Sequence, residues 1–161
     1  RSAKVAGSAD ITGPCIIDEG AEIRHCAFIR GSALIGKGCV VGNSTELKNT
    51  LLFDGVQVPH YNYVGDSVLG YRSHMGAGAI TSNVKSDKTS VKIRSDEETV
   101  ETGMKKLGAI LGDLVEIGCG SVLCPGTVIG SGSTVYPLSM VRGYVPAGSI
   151  YKKAGEVINK R

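Results

Sequence analysis

The sequence predicts an all-β fold of one domain, a parallel β-helix wound from six-residue units, and three observations carry that prediction. Apolar residues recur at every sixth position, glycine is abundant at 23 of 161 residues, and large aromatics are scarce, with two phenylalanines and no tryptophan. A helix repeats every 3.6 residues and a strand every two, so a six-residue period belongs to neither alone. It fits a solenoid in which each hexapeptide supplies one short strand and three of them close a triangular coil of roughly 18 residues.

The first run of inward anchors is Val5, Ile11, Ile17, Ile23, Ile29, Ile35, Val41, Leu47 and Phe53. Small residues follow four positions later, at Ala9, Cys15, Ala21, Ala27, Ala33, Cys39 and Thr45. After Phe53 the anchors move to Val58, Val64, Leu69 and Met75, so two of these steps shorten to five residues. Residues 83–107 abandon the period. Charged, poor in aliphatics and too long for a turn, they are expected to form an extruded loop or hairpin, a place where rigid scaffolds commonly carry function. The repeat resumes at Leu111, Ile117, Leu123, Ile129, Val135 and Val141, with Val115, Ser121, Thr127, Ser133, Ser139 and Val145 at the small position. Residues 147–161, with Lys152, Lys153, Lys160 and Arg161, read as a C-terminal cap. So narrow a prism is expected to hold aliphatic and small side chains and no large ring. The repeat is already running at Val5, and open strand edges call for cover by a preceding segment or a partner.

Eighteen basic residues against fifteen acidic ones leave a net charge of +3, which argues against a nucleic-acid binder. No apolar run approaches the roughly 18 residues of a membrane-spanning helix, and the start lacks the basic-then-apolar pattern of a signal segment. A cytoplasmic protein is expected. The five cysteines (Cys15, Cys26, Cys39, Cys119, Cys124) are odd in number and lack CxxC spacing, which fits reduced thiols better than disulfides or a zinc knot.

The six-residue ruler also sorts outward positions into columns. Arg30 and Lys48 each follow an anchor one coil apart, while Phe28, Glu46 and Tyr63 precede the same anchors. His25, Asn43, His60 and Ala77 share one offset on the neighbouring turn. A basic pair, a carboxylate, a tyrosine and a histidine are thereby expected to crowd one corner over about two coils. Arg30 and Lys48 suit a phosphate monoester, the first as a planar fork and the second as a point charge. Histidine is the side chain type whose unperturbed pKa lies near neutrality, which makes His60 the candidate general base there.

The stretch from Val41 to Asn83, with VGN-x-x-E-x-K, PH-x-x-Y-x-GD and GAG-x-x-T-x-N in order, resembles the acetyltransferase domain of the bifunctional enzyme that makes UDP-N-acetylglucosamine in bacteria and archaea. The resemblance implies a left-handed parallel β-helix of hexapeptide repeats, active as a homotrimer with sites between subunits. Its reaction moves an acetyl group from acetyl-CoA to an amino-sugar phosphate such as glucosamine 1-phosphate, with no metal and no nucleic-acid or membrane partner. It implies His60 as the base with Glu46 in support, and Arg30, Lys48 and Lys92 on the sugar phosphate. Tyr63, His74 and Asn83 would contact the sugar, and Ala77, Cys119 and Pro137 would line the acetyl-CoA groove. Departures from the pattern are His74 where relatives carry Asn, Thr89 after Lys88 in place of a second loop lysine, Cys119 in place of a serine, and Tyr136 and Pro137 in the groove. The uridylyltransferase domain is absent from this sequence. Two other readings are a non-catalytic phosphosugar or sugar-nucleotide binder and a zinc β-helix like the γ-type carbonic anhydrases. The zinc reading would need His25, His60 and His74 around one ion, although the ruler sets His25 and His60 two decks apart, roughly 9.6 Å.

Overall fold

Three walls of short parallel strands wind through about eight turns. A computed structural model describes residues 2–95, 97–153 and 156–159, and among them there is no helix. The first wall stacks Lys4–Val5, Glu22–Ile23, Val40–Asn43, Gln57–His60, His74–Met75, Glu116–Ile117, Thr134–Val135 and Ser149–Lys153. The second wall stacks Asp10–Thr12, Phe28–Arg30, the first halves of Glu46–Leu52 and Tyr63–Leu69, and then Ile80–Thr81, Val122–Leu123 and Met140–Val141. Cys15–Ile17, Ala33–Ile35, the second halves of those two long strands, Ala109–Leu111, Thr127–Ile129 and Tyr144–Val145 make the third.

The core follows the ruler. Ile23, Ile29, Ile35, Val41, Leu47, Val58, Val64, Leu69, Met75, Leu111, Ile117, Leu123, Ile129, Val135 and Val141 are buried in one cluster. Stacking each on its counterpart removes apolar surface at about 25 cal/mol per Å², which is the main stabilisation available to a fold with so few aromatics. In the first coil Val5 and Ile11 remain 51% and 37% exposed, as befits a coil packed on one side. Cys39 takes an inward small position, where burial pushes its thiol up to about 11.

Three core expectations need correction. Phe53 is surface-exposed, and the anchor is Leu52, buried in register with Ile35 and Leu69. The steps Leu47 to Leu52 and Val64 to Leu69 are the trimmed ones, both at the second corner, between the second and third walls. There Asn49 and Asp66 turn the chain with left-handed φ of 53° and 49°, a conformation Asn and Asp tolerate better than other residues with a Cβ. Val145 is an anchor stacked on Ile129 rather than a small-position residue. A large ring does enter the core: Tyr151 stacks on Val135 in the last coil and donates its hydroxyl to the Met140 carbonyl at 2.9 Å. The C-terminal strand pairs onto that coil, with Val157 opposite Tyr151.

Residues 83–107 leave from the same second corner, between Thr81 and Ala109, as expected. They form a hairpin of Lys92–Arg94 antiparallel to Thr99–Glu101, folded back on the body: Val91 is fully buried, and its N–H bonds the Met104 carbonyl at 2.8 Å. The C-terminal cap is a second hairpin, Ser149–Lys153 with Glu156–Asn159; Lys160 and Arg161 lie outside the described residues.

One feature was not anticipated. The outward position on the third wall is apolar in every coil, through Ile16, Leu34, Leu51, Val68, Ile110, Val128 and Tyr144. The matching column on the first wall reads Lys4, Glu22, Val40, Gln57, His74, Glu116 and Thr134, an ordinary solvated face.

Candidate functional site

His60 stands at the first corner, between the first and second walls, on a tightly held backbone. Its N–H donates to Asn62 Oδ1 at 3.1 Å, and its carbonyl accepts from Gly78 at 3.0 Å. Asn62 is itself buried and donates to the carbonyls of Gly76 (2.8 Å) and Ala79 (3.0 Å). Gly42 permits the close approach of the preceding coil, since a Cβ there would fall 1.5 Å from the Pro59 carbonyl oxygen. The His60 imidazole, by contrast, is exposed and makes no side-chain hydrogen bond among the described residues. Along the same corner run Ala77, Cys119 and Pro137, all exposed. The column is fixed by Gly78 N–H to the His60 carbonyl, Gly120 N–H to that of Ala77, and Leu138 N–H to that of Cys119.

The second wall carries the polar cluster. Glu46 and Tyr63 are in register with Phe28, as the ruler predicted. The carboxylate of Glu46 pairs with Arg30 Nη1 at 3.0 Å; no hydrogen bond joins it to His60. Lys48 Nζ meets both oxygens of Asp66, at 3.0 and 3.1 Å, while Asn49 Nδ2 donates to Oδ1 at 2.8 Å. Asn83 Nδ2 donates to Asp66 Oδ2 and, at 3.2 Å, to the Tyr63 hydroxyl. Burial by itself would raise the Asp66 pKa, but the donors Asn49, Lys48 and Asn83 and the Lys48 charge outweigh it and hold the carboxyl below its ordinary value. The Tyr63 ring lies across Gly65, where a Cβ would sit 2.5 Å from its hydroxyl. The Asp66 carbonyl also receives Gly108 N–H at 2.8 Å, so this residue ties together both roots of the insertion and three polar side chains.

The expected single corner is therefore spread out. His60 and the Ala77–Cys119–Pro137 column occupy one border of the second wall, and Arg30, Lys48 and Asp66 the other, with Glu46 and Tyr63 between. His74 is on the first wall, its Nδ1 2.8 Å from Glu116 Oε2, and Lys92 is on the hairpin, paired with Glu101. Asp66 and Asn62 were missed by the sequence reading. Both are buried polar residues beside a predicted functional neighbour, and the GD of PH-x-x-Y-x-GD was the available signal for the first. For the zinc reading, His25 bonds Ser8 Oγ at 2.6 Å and is separated from His60 by Asn43 in the column, while His74 sits in register with Gln57 along the first wall, not at that corner, with its Nδ1 on Glu116. Among the described residues no group of three or more His, Cys, Asp or Glu is placed to hold a metal ion.

Wall, corner and insertion together define the class, a hexapeptide-repeat β-solenoid with a decorated wall. Within that class the chain belongs to the family described as the GMPPB C-terminal domain, which matches residues 11–146. It is also homologous over nearly its whole length to the hexapeptide-repeat region of bifunctional GlmU. The Bifunctional protein GlmU of Methanococcus maripaludis (strain C5) is 33% identical over 99% of this chain and 43% of its own length. The Bifunctional sugar-1-phosphate nucleotidylyltransferase/acetyltransferase of Sulfurisphaera tokodaii is 32% identical over 92% of this chain and 41% of its own. The chain thus spans less than half of these relatives. Among solved structures, PerB from Caulobacter crescentus, in complex with CoA and GDP-perosamine, superposes with a TM-score of 0.55 at 16% identity, covering 92% of this chain and 50% of that one. At that identity the likeness speaks to fold alone.

Proposed function

We propose that the protein is a CoA-dependent N-acetyltransferase acting on an amino-sugar phosphate of the glucosamine 1-phosphate type, in the cytoplasm, as a homotrimer. The observation that carries this reading is the exposed, unengaged imidazole of His60, held on a rigid backbone at the head of the Ala77–Cys119–Pro137 column and beside a polar wall. In the proposed reaction the sugar amine attacks the thioester carbonyl carbon while neutral His60 takes its proton. The tetrahedral intermediate collapses with loss of the C–S bond, and His60 returns the proton to the departing thiolate, leaving amide and free CoA thiol. Tyr63 and Asn83 would orient the sugar and Arg30 its phosphate. The apolar stripe on the third wall, exposed at Ile16, Leu34 and Tyr144 and half-buried between them, supports self-association, because aligned apolar positions on a surface wall mark interaction sites. Free thiols at all five cysteines accord with a reducing compartment.

A second reading, a non-catalytic phosphosugar or sugar-nucleotide binder, is favoured by Tyr136, Pro137 and Leu138 at the corner where CoA would lie, the last 85% exposed. Thiol release from acetyl-CoA with glucosamine 1-phosphate separates the two. The transferase reading expects turnover by wild type and a drop of about 10²–10⁴ in His60→Ala. Binding of the sugar phosphate without thiol release by wild type would establish the second reading instead.

A further inference from the structure

A cleft of about 540 Å³ opens between the hairpin and the second corner of the lower coils, away from the Arg30–Glu46 pair. Its lining carries Lys85, Lys92, Arg94 and Arg142 against a single carboxylate, Asp87. Two of these cations are engaged: Lys85 with Asp87 at 3.3 Å and Lys92 with Glu101. Among the described residues Arg94 and Arg142 have no acidic partner. They come from unrelated segments, one on a hairpin strand and one following the Met140–Val141 strand, yet face the same space. Like charges brought together without counter-charge cost free energy unless an anion joins them.

The cleft is built, rather than left by a loose loop. Gly126 lets the hairpin backbone press against the corner: a Cβ there would meet the Lys92 carbonyl oxygen at 2.5 Å and Val91 Cγ1 at 2.8 Å. One coil on, Gly143 faces the Arg94 carbonyl oxygen, which a Cβ would approach to 3.8 Å. Val91 is completely buried beneath, and its carbonyl receives the Thr102 hydroxyl. The strand bearing Lys92 and Arg94 is thereby fixed to the body, which lowers the ordering cost of binding. The volume lies in the range of small-molecule clefts, and guanidinium forks match phosphate oxygens.

We propose that this cleft is a phosphate-binding site, with Arg94 and Arg142 as its principal ligands and Lys85 and Lys92 adding to the local potential. The phosphate has two possible sources, a sugar phosphate or the 3′-phosphate of CoA, and the proposal holds whether or not acetyl transfer occurs. The test is calorimetric binding of inorganic pyrophosphate at low salt to wild type, Arg94→Gln, Arg142→Gln, the double variant and, as a control outside either site, Arg24→Gln. Both cleft arginines are exposed, so unfolding temperatures should not change. We expect each single cleft substitution to weaken binding about tenfold, the double variant to be weakest, and Arg24→Gln to leave pyrophosphate affinity close to wild type. The same variants titrated with CoA, dephospho-CoA and glucosamine 1-phosphate identify the source. Loss for CoA but not dephospho-CoA assigns the 3′-phosphate, and loss for glucosamine 1-phosphate assigns the sugar. Pyrophosphate affinity unchanged in the double variant, or no measurable binding to wild type at millimolar concentration, would overturn the proposal. Neither result depends on thiol release.

Discussion

Substituting Lys48 by Met tests whether Asp66 is the buried hub of the second wall. The Asp66 side chain is 7% exposed and the Lys48 side chain 24%, with Nζ 3.0 Å from the carboxylate. Removing one partner of a fully buried pair costs about 3–5 kcal/mol, because a charge is left unpaired in low dielectric, whereas an exposed pair is worth about 0–1 kcal/mol. Here the carboxylate keeps its bonds from Asn49 and Asn83, so Lys48→Met should cost about 2–3 kcal/mol at pH 7. Asp66→Asn should cost less, since the orphaned ammonium is nearer water and can rehydrate. The double variant should be more stable than Lys48→Met alone.

The pH dependence has a defined sign. In wild type the Asp66 pKa is lowered by its donors and by Lys48, so its contribution is complete above the unfolded value of about 3.9 and is lost only as pH falls through the lower folded value. Between pH 7 and 5 this group should therefore leave wild-type stability flat. In Lys48→Met the carboxyl keeps the lowering bonds of Asn49 and Asn83 but loses the bond and charge of Lys48, so it titrates higher than in wild type, and the deficit should shrink as pH falls through the carboxylate range. Urea midpoints at several pH values, with unchanged slopes, measure this. A Lys48→Met variant as stable as wild type, or a deficit independent of pH, would refute the hub.

Two further outcomes test packing and assembly. Gly42→Ala should abolish cooperative folding, because its Cβ would fall 1.5 Å from a backbone oxygen, whereas Gly7→Ala, with nothing within 4 Å, should be nearly neutral; thermal unfolding compares them. Leu34→Glu on the third wall should shift the sedimentation coefficient from that of an oligomer to that of a monomer, while Thr134→Glu on the first wall should not. Equal behaviour of those two would remove the third wall from the interface.

Most of the architecture could be read from the period because a solenoid makes fold a property of spacing: an anchor at every sixth residue determines which side chains stack. The reading slipped where spacing is degenerate. Leu51, Leu52 and Phe53 are three consecutive apolar residues, so periodicity alone cannot say which faces inward, and the choice falls to the strand pairing of Leu52 with Ile35. The third-wall stripe was legible, one position before each third-wall anchor, but only once the trimmed steps were correctly placed. Partners were not legible at all. Columns say that Glu46 and His60 lie on adjacent lines, but not that Arg30 reaches Glu46 first. Nor do they show that Lys48 is held by Asp66, since side-chain reach across a coil depends on rotamers that spacing does not encode.

The irregular steps and the polar cluster have one cause. In the regular coil the second corner is turned by Gly31 and Ser32, both left-handed, and the chain spends six residues between Ile29 and Ile35. In the next two coils a single left-handed residue does the turning, Asn49 and then Asp66, and the strands run on from Glu46 to Leu52 and from Tyr63 to Leu69. The residue at the turn must then tolerate positive φ, which selects Asn or Asp, and stacking sets the two side chains one above the other, where Asn49 Nδ2 meets Asp66 Oδ1 at 2.8 Å. A buried carboxylate at that point needs cationic and amide donors, and Lys48 and Asn83 supply them. Asn83 opens the insertion, so the same carboxylate that repairs a shortened corner also anchors the hairpin whose far face forms the basic cleft. Local departure from the repeat is thus where a regular scaffold acquires specific chemistry.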